Sequence, residues 1–142
     1  MPIDSRPALG WEMPDRTRFL FLMSRLLQFA EENKIPVACF YFYRTEAEQR
    51  TLFLAGKSEV AHSTHQDWLA KDLFVFDEDW EPIWEHTAGD GYSRLGAFWK
   101  TLDPRCRWGG DFRHKPSDPL GWDPYHFELA KPRGPLAPPL RA

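Results

Sequence analysis

Residues 63 to 73 read STHQDWLAKDL, a polar loop that runs into an apolar segment. His65 lies in the loop, and Asp72 follows seven residues later, where the apolar run predicts the start of a strand. A second stretch, residues 123 to 129, reads DPYHFEL and adds His126, with a carboxylate three residues before it. Two imidazole nitrogens and one carboxylate oxygen suit a catalytic zinc ion that keeps its fourth position for water.

Length and charge narrow the class of protein. The chain has 142 residues, a formal net charge of −3 and a pI near 5.9. That length suits one domain with one core, and the charge points to neither nucleic acid nor an anionic membrane. The N-terminus has no apolar run of signal-peptide length, and no stretch approaches the roughly 20 apolar residues of a membrane span. We expect a monomer that is made in the cytoplasm without a signal peptide.

The part of the chain before the site alternates helix and strand signals. Apolar residues recur at helical period and predict a helix from Asp15, its expected N-cap, to about Asn33. Residues 37 to 43 are apolar and rich in aromatics, which favours a mostly buried strand. Residues 45 to 48 match a capping box that opens a helix ending at Gly56.

After the site the elements are shorter. Residues 73 to 76 predict a strand, and residues 80 to 84 its hairpin partner. Residues 88 to 102 carry one apolar face and predict a helix. The glycine-rich WGGDF at 108 to 112 suggests a short strand with a close backbone approach, and residues 125 to 129 predict another strand.

These elements predict a small single α+β domain, in which a short antiparallel sheet carries the zinc site and about three helices flank it. We expect the domain to span residues 1 to 130, followed by a proline-rich tail at 131 to 142. The two cysteines, Cys39 and Cys106, lack the paired spacing of a structural zinc site.

The motifs together resemble one family of zinc peptidases, which includes D-Ala-D-Ala carboxypeptidases, D-Ala-D-Ala dipeptidases and the L-alanyl-D-glutamate endopeptidases of phage endolysins. The two stretches quoted above match its Ser-x-His-x(6)-Asp and Asp-x-x-His-Phe-Glu patterns. Arg44-Thr45 with Gln49 resembles its Arg-Thr-x-x-x-Gln segment, and residues 108 to 112 resemble the Trp-Gly-Gly-Asp-Trp/Phe element of the phage branch. The resemblance covers roughly residues 40 to 130.

The resemblance implies roles at the matching positions. His65, Asp72 and His126 would be the zinc ligands. Asp123 would be the catalytic acid/base that takes a proton from water and passes it to the leaving amine. Arg44 would meet the negative charge that develops on the scissile carbonyl oxygen.

Other positions carry weaker expectations. Ser63 matches a polar residue near the substrate, and Glu128 is expected to hydrogen-bond a ligand imidazole from outside the metal shell. The sequence departs from the family at Trp68, where glycine is frequent, and at Lys71, where an apolar residue is usual. Because side chains alternate along a strand, we expect Lys71 to point away from the metal.

The resemblance implies a zinc metallopeptidase that hydrolyses bacterial cell-wall peptidoglycan at its stem peptide, most like the phage L-alanyl-D-glutamate endopeptidases. One alternative is a D-Ala-D-Ala carboxypeptidase or dipeptidase on the same site. Another is a non-catalytic zinc-containing module that binds the cell wall or belongs to a virion, although a purely structural site would not need Asp123. Lacking a signal peptide, the protein would reach the wall after release by a holin, an injection device or lysis.

Overall fold

The computed structural model describes residues 12–39, 67–84, 89–112, 121 and 123–131, together with residues 47, 50, 51, 54 and 55. The helices are α1 (Asp15–Glu32) and α2 (Gly91–Leu102), and a 3-10 turn covers Gly109–Asp111. The strands are β1 (Val37–Ala38), β2 (Ala70–Asp72), β3 (Phe74–Val75), β4 (Cys106–Trp108) and β5 (His126–Leu129). Within these ranges, β1 pairs with β3, and a second antiparallel sheet has the order β2-β5-β4.

The predicted α+β class is confirmed, with two helices and two short antiparallel sheets in the ranges given above. The third predicted helix falls on residues 45 to 56, most of which lie outside the described residues. Ala47 and Thr51 are helical, and the Thr51 hydroxyl donates to the Ala47 carbonyl oxygen over 2.9 Å.

Helix α1 presents one apolar face to the core. Its buried side chains recur at helical spacing; they are Phe19, Leu22, Met23, Leu26 and Ala30. The predicted end near Asn33 is confirmed, but the prediction of Asp15 as N-cap is wrong, because Pro14 holds that position with extended backbone. Asp15 instead lies in the first turn, where its carboxylate is 2.8 Å from the Arg105 guanidinium. The Asp15 carboxylate therefore forms an ion pair with Arg105 instead of capping the helix.

Helix α2 begins three residues after its predicted start. The Asp90 carboxylate accepts the Ser93 backbone N–H over 3.0 Å, so Asp90 caps a helix whose first residue is Gly91 rather than residue 88. The predicted apolar face is confirmed: Leu95 and Trp99 are fully buried, and Phe98 stacks on Phe29 of α1 at 4.2 Å between ring centroids.

The predicted strand from Asp72 into residues 73 to 76 is divided between the two sheets. Asp72 ends β2, Phe74 begins β3, and between them the Leu73 N–H donates to the Tyr125 carbonyl oxygen over 2.9 Å. The return of residues 80 to 84 as a hairpin partner is confirmed by a bridge from Phe76 to Pro82. Leu73 therefore marks the point where the chain leaves one sheet for the other.

Two further strand predictions need correction. The predicted strand at 37 to 43 is observed only at Val37–Ala38, and residues 40 to 43 lie outside the described residues. The predicted strand at 108 to 112 is wrong, since β4 ends at Trp108 and a 3-10 turn follows. The close backbone approach predicted there is confirmed, because a Cβ atom at Gly109 would overlap the Asp123 carbonyl oxygen.

The core lies between the two helices and the three-stranded sheet. Trp99 is at its centre, in edge-to-face contact with Phe19 at 5.9 Å and with Phe127 at 6.2 Å. Its indole N–H lies 3.0 Å from the Arg107 carbonyl oxygen and 3.2 Å from that of Glu128, so α2 is tied to β4 and β5 at once. Among the described helices, none combines the length and apolar character needed to span a membrane.

Candidate metal centre

The register of two strands brings the first pair of site residues together. β2 and β5 are antiparallel, and Asp72 is directly opposite His126. Directly opposed residues project on the same face of a sheet, so their side chains meet. Asp123 joins them from the turn before β5, where the His126 N–H donates to the Asp123 carbonyl oxygen over 3.1 Å. One oxygen or nitrogen atom from each of the three residues lies within 4.8 Å of the other two.

Gly109 explains why this turn can lie so close to the sheet. Its carbonyl oxygen accepts the Asp123 N–H at 3.4 Å, and a Cβ atom at this position would overlap the Asp123 backbone. On the other side, the Trp108 indole N–H donates to the Pro124 carbonyl oxygen over 2.7 Å. The Trp-Gly pair at the end of β4 thus positions the turn that carries Asp123.

One distance within the triad fits two ligands of a shared ion. His126 Nδ1 lies 3.4 Å from Asp72 Oδ1 and 4.0 Å from Asp123 Oδ2. A charge-assisted hydrogen bond is shorter, at about 2.7 to 2.9 Å. Two ligands bonded tetrahedrally to one zinc ion at about 2.0 to 2.2 Å would stand roughly 3.3 to 3.6 Å apart. The Asp72–His126 pair therefore has the spacing of two ligands, and its nitrogen and oxygen donors suit zinc.

The second ring nitrogen of His126 is already engaged. Glu128 lies two residues further along β5, and its Oε1 is 2.7 Å from His126 Nε2. A carboxylate can only accept, so Nε2 carries a proton and the Nδ1 atom faces Asp72 and Asp123. Across the sheet, Arg107 is directly opposite Glu128, and its guanidinium lies 3.7 Å from the Glu128 carboxylate.

The electrostatics of the centre favour a positive charge. Burial lowers the pKa of the His126 imidazole, but contacts with the Asp72 and Glu128 carboxylates and the charge of Asp123 together raise it to about 10. Three carboxylates thus surround one imidazole, and they stabilise either a proton or a metal ion in their midst.

The centre is accessible from the carboxylate side. The His126 side chain is only 9% exposed, whereas those of Asp72 and Asp123 are 28% and 26% exposed. The Phe112 ring lies against the imidazole, with 5.9 Å between centroids. A water molecule or a substrate can therefore approach the two aspartates, while the imidazole is shielded from solvent.

The structure describes four of the seven residues predicted for the site. Asp72, Asp123 and His126 come together, and Glu128 contacts the imidazole. The predicted zinc ligand His65, the predicted oxyanion partner Arg44 and the predicted substrate contact Ser63 lie outside the described residues. Their roles stay predictions.

Lys71 illustrates a feature that the sequence did not reveal. It is opposite Phe127 in the register, so its side chain starts from the face of the sheet away from Asp72 and His126. The residue is only 1% exposed, although lysine is almost never fully buried. The alternation of side chains along the strand predicted the direction of the Lys71 side chain. The sequence did not indicate that this side chain would be buried, because lysine is usually exposed.

The contact of Arg107 with Glu128 was also not predicted from the sequence. The two residues meet only because β4 and β5 pair in this register. A lone arginine in a short strand carries no signal for such a contact.

No protein-family model matches the chain, and no curated protein matches it. Among solved structures, the chain is similar to the Serratia marcescens L-Ala D-Glu endopeptidase ChiX, with a TM-score of 0.56 and 23% identity over 89% of this chain and 87% of that one. It is also similar to the LdcB LD-carboxypeptidase, with a TM-score of 0.49 and 15% identity over 85% of this chain and 64% of that one. The chain therefore shares the fold of the L-Ala D-Glu endopeptidase ChiX.

Proposed function

We propose that this protein is a zinc-dependent peptidase that hydrolyses the stem peptide of bacterial peptidoglycan, with the L-alanyl-D-glutamate bond as its target. The observation that carries the proposal is the convergence of Asp72, Asp123 and His126 on a fold shared with an L-Ala D-Glu endopeptidase. The family motifs in the sequence support the same activity.

In this proposal the metal is held by His126 through Nδ1, by Asp72 and by His65. When bound, zinc supplies a Lewis acid for the peptide carbonyl and lowers the pKa of a water molecule toward neutrality. The chain's own contribution is to fix the donors. Glu128 holds the imidazole by its other nitrogen at 2.7 Å, which sets both the tautomer and the ring orientation.

Asp123 is proposed as the acid/base. Its carboxylate oxygen is 4.0 Å from His126 Nδ1, further than the 3.4 Å of the Asp72 oxygen, and about a quarter of the side chain is exposed. Those features suit a group beside the reacting water. Asp123 would take a proton as the water oxygen adds to the carbonyl carbon, and would give it to the amine nitrogen as the C–N bond breaks.

Two roles rest on the sequence resemblance. Arg44 would donate to the carbonyl oxygen as it gains negative charge, and Ser63 would contact the substrate. A purely structural zinc site would not need the additional carboxylate of Asp123, which favours an enzyme over a binding module.

Digestion of purified peptidoglycan tests the proposal. New amino termini identified by mass spectrometry should begin with D-glutamate, and His126→Ala should release none. Release of a terminal D-alanine instead would assign the enzyme to the carboxypeptidase alternative. No cleavage by a zinc-loaded, folded protein would contradict the peptidase proposal itself.

A further inference from the structure

Four side chains form a closed loop of contacts that includes the imidazole of the metal centre, here called the Arg107 cluster: Arg107, Phe112, His126 and Glu128. Glu128 Oε1 is 2.7 Å from His126 Nε2, and Glu128 Oε2 is 3.7 Å from the Arg107 guanidinium. The guanidinium carbon lies 4.8 Å from the centroid of the Phe112 ring, and that centroid lies 5.9 Å from the centroid of the imidazole. Arg107 therefore contacts two of the side chains that contact the imidazole.

The Glu128 carboxylate is divided between two partners. Its side chain is only 9% exposed, and a carboxylate so far removed from water needs opposite charges or hydrogen bonds around it. Oε1 bonds to the imidazole, while Oε2 faces the guanidinium at the distance of an ion pair rather than of a hydrogen bond. Because both oxygens belong to one planar group, a partner at Oε2 limits the rotation that would move Oε1 away from His126.

The Phe112 ring is held by the same guanidinium. A guanidinium within about 6 Å of an aromatic centroid is attracted to the ring, and Arg107 lies over Phe112 at 4.8 Å. Phe112 directly follows the 3-10 turn Gly109–Asp111, whereas Glu128 belongs to β5. One side chain thus joins the two supports of the imidazole, which come from different parts of the chain.

Arg107 is itself fixed by the sheet. It is directly opposite Glu128 in the pairing of β4 with β5, so the two side chains project on the same face as His126. The Arg107 carbonyl oxygen lies 3.0 Å from the Trp99 indole N–H. The guanidinium therefore extends from a backbone that is held on both sides.

We propose that Arg107 is a positioning residue of the metal centre. Through Glu128 and Phe112 it fixes the plane of the His126 imidazole, so that Nδ1 stays directed at Asp72. This inference rests on the proposed zinc centre, and it adds a residue that touches none of the donor atoms.

Positioning and simple charge make opposite predictions for this residue. A positive charge near the centre would by itself repel a bound cation, so removing it would strengthen zinc binding. If Arg107 instead orients the imidazole, its removal should weaken zinc binding. The sign of the change therefore separates the two effects.

Chelator competition on three variants measures that sign. Arg107→Met should lower zinc affinity about three- to tenfold, less than the loss of a partner that touches the imidazole itself. Arg107→Lys should restore part of it, because the ion pair with Glu128 can remain while the planar contact with Phe112 is lost. Arg105→Met is the matched control: its side chain is 24% exposed against 20% for Arg107, but it pairs with Asp15, so zinc affinity should not change.

A double variant tests the route of the effect. Because Arg107 acts partly through Glu128, Arg107→Met combined with Glu128→Gln should weaken zinc binding by less than the product of the two single effects. A full product, or tighter zinc binding in Arg107→Met, would overturn the proposal. If Arg107→Met does not fold, Arg107→Lys takes its place in both comparisons.

The metal-free protein supplies a readout that does not depend on zinc. After chelation, the Nε2 proton of His126 should be protected from exchange with water by its bond to Glu128 and give a resolved NMR signal. This signal should broaden or disappear in Arg107→Met, and an equal signal in both proteins would remove the positioning role. A folded wild type that binds no zinc would contradict the proposed function instead, and the NMR comparison would still decide whether Arg107 orients the imidazole.

Discussion

At the scale of single residues, His126 determines how the centre is organised, because carboxylates face both of its ring nitrogens. Nε2 is 2.7 Å from Glu128, and Nδ1 faces Asp72 and Asp123. The imidazole is thus oriented before any metal binds. The roles of two residues beside it, Asp123 and Glu128, can be distinguished by the effect of substituting each one on metal content and on turnover.

Asp123→Ala should keep the zinc and lose the chemistry. The carboxylate is the more distant of the two aspartates from Nδ1, and a positioned general base contributes about 10²- to 10⁴-fold to turnover. We expect zinc content and folding close to wild type with turnover reduced by that factor. Metal analysis and peptidoglycan cleavage on one preparation measure both. Zinc loss as complete as in His126→Ala would make Asp123 a ligand.

Glu128→Gln should weaken the metal site without emptying it. Glutamine keeps a side-chain oxygen near Nε2 but lacks the charge that pairs with Arg107 at 3.7 Å. Loss of such an outer partner typically costs about 10- to 100-fold in metal affinity. Competition with a chelator of known affinity measures the change. An unchanged affinity would leave Glu128 with a packing role only.

At the scale of elements, α2 matters because one of its side chains joins two strands of the site sheet. The Trp99 N–H bonds to carbonyl oxygens of β4 and β5, and one of these belongs to Glu128. Helix α2 thus supports the strand that carries His126 from the face opposite the metal centre.

Trp99→Phe should destabilise the fold and thereby the site. The change removes the donor shared by two carbonyl groups, one in a buried and one in a partly buried hydrogen bond, and leaves a void, at a cost of about 2 to 4 kcal/mol in the free energy of unfolding. Denaturant unfolding measures this. Trp80→Phe serves as control, since Trp80 is 72% exposed and a surface change of this kind stays within about 0.5 kcal/mol. Equal stability of the two variants would show that the bridge contributes little.

At the scale of the whole molecule, the proposed metal binding would be linked to folding. The triad comes from β2, from β5 and from the turn before β5, so it forms only when the sheet does. An ion that binds the folded state alone stabilises it by mass action.

Removing zinc should therefore lower the Tm. At a free zinc concentration of 100 times Kd the stabilisation is about 2.7 kcal/mol, and chelation should abolish it. Thermal unfolding with chelator, and again after zinc is restored, measures the shift. The Tm of His126→Ala should respond to neither treatment. A wild-type Tm that is independent of zinc would mean that the ion does not bind the folded chain.

Features encoded by local spacing could be predicted from the sequence. The apolar face of α1 recurs at helical period, and the close approach at Gly109 follows from a glycine pair. Asp123 and His126 are three residues apart with a proline between them, so a single turn is enough to bring them near each other. The motifs that resemble the peptidase family pointed to the fold that the chain shares with the L-Ala D-Glu endopeptidase ChiX.

Only the tertiary structure decided what depends on register. The sequence could not show that Asp72 ends one strand rather than beginning another. Leu73 still bonds to Tyr125, whereas Phe74 pairs with Ala38 in the other sheet, and both partners are distant in the chain. The pairing of Asp72 with His126 depends on the register of β2 against β5, since a shift of one residue would turn every side chain of β2 to the opposite face. The sequence by itself determined which residue types and local turns the centre uses. Long-range strand pairing decided which atoms meet, because no local preference specifies a register.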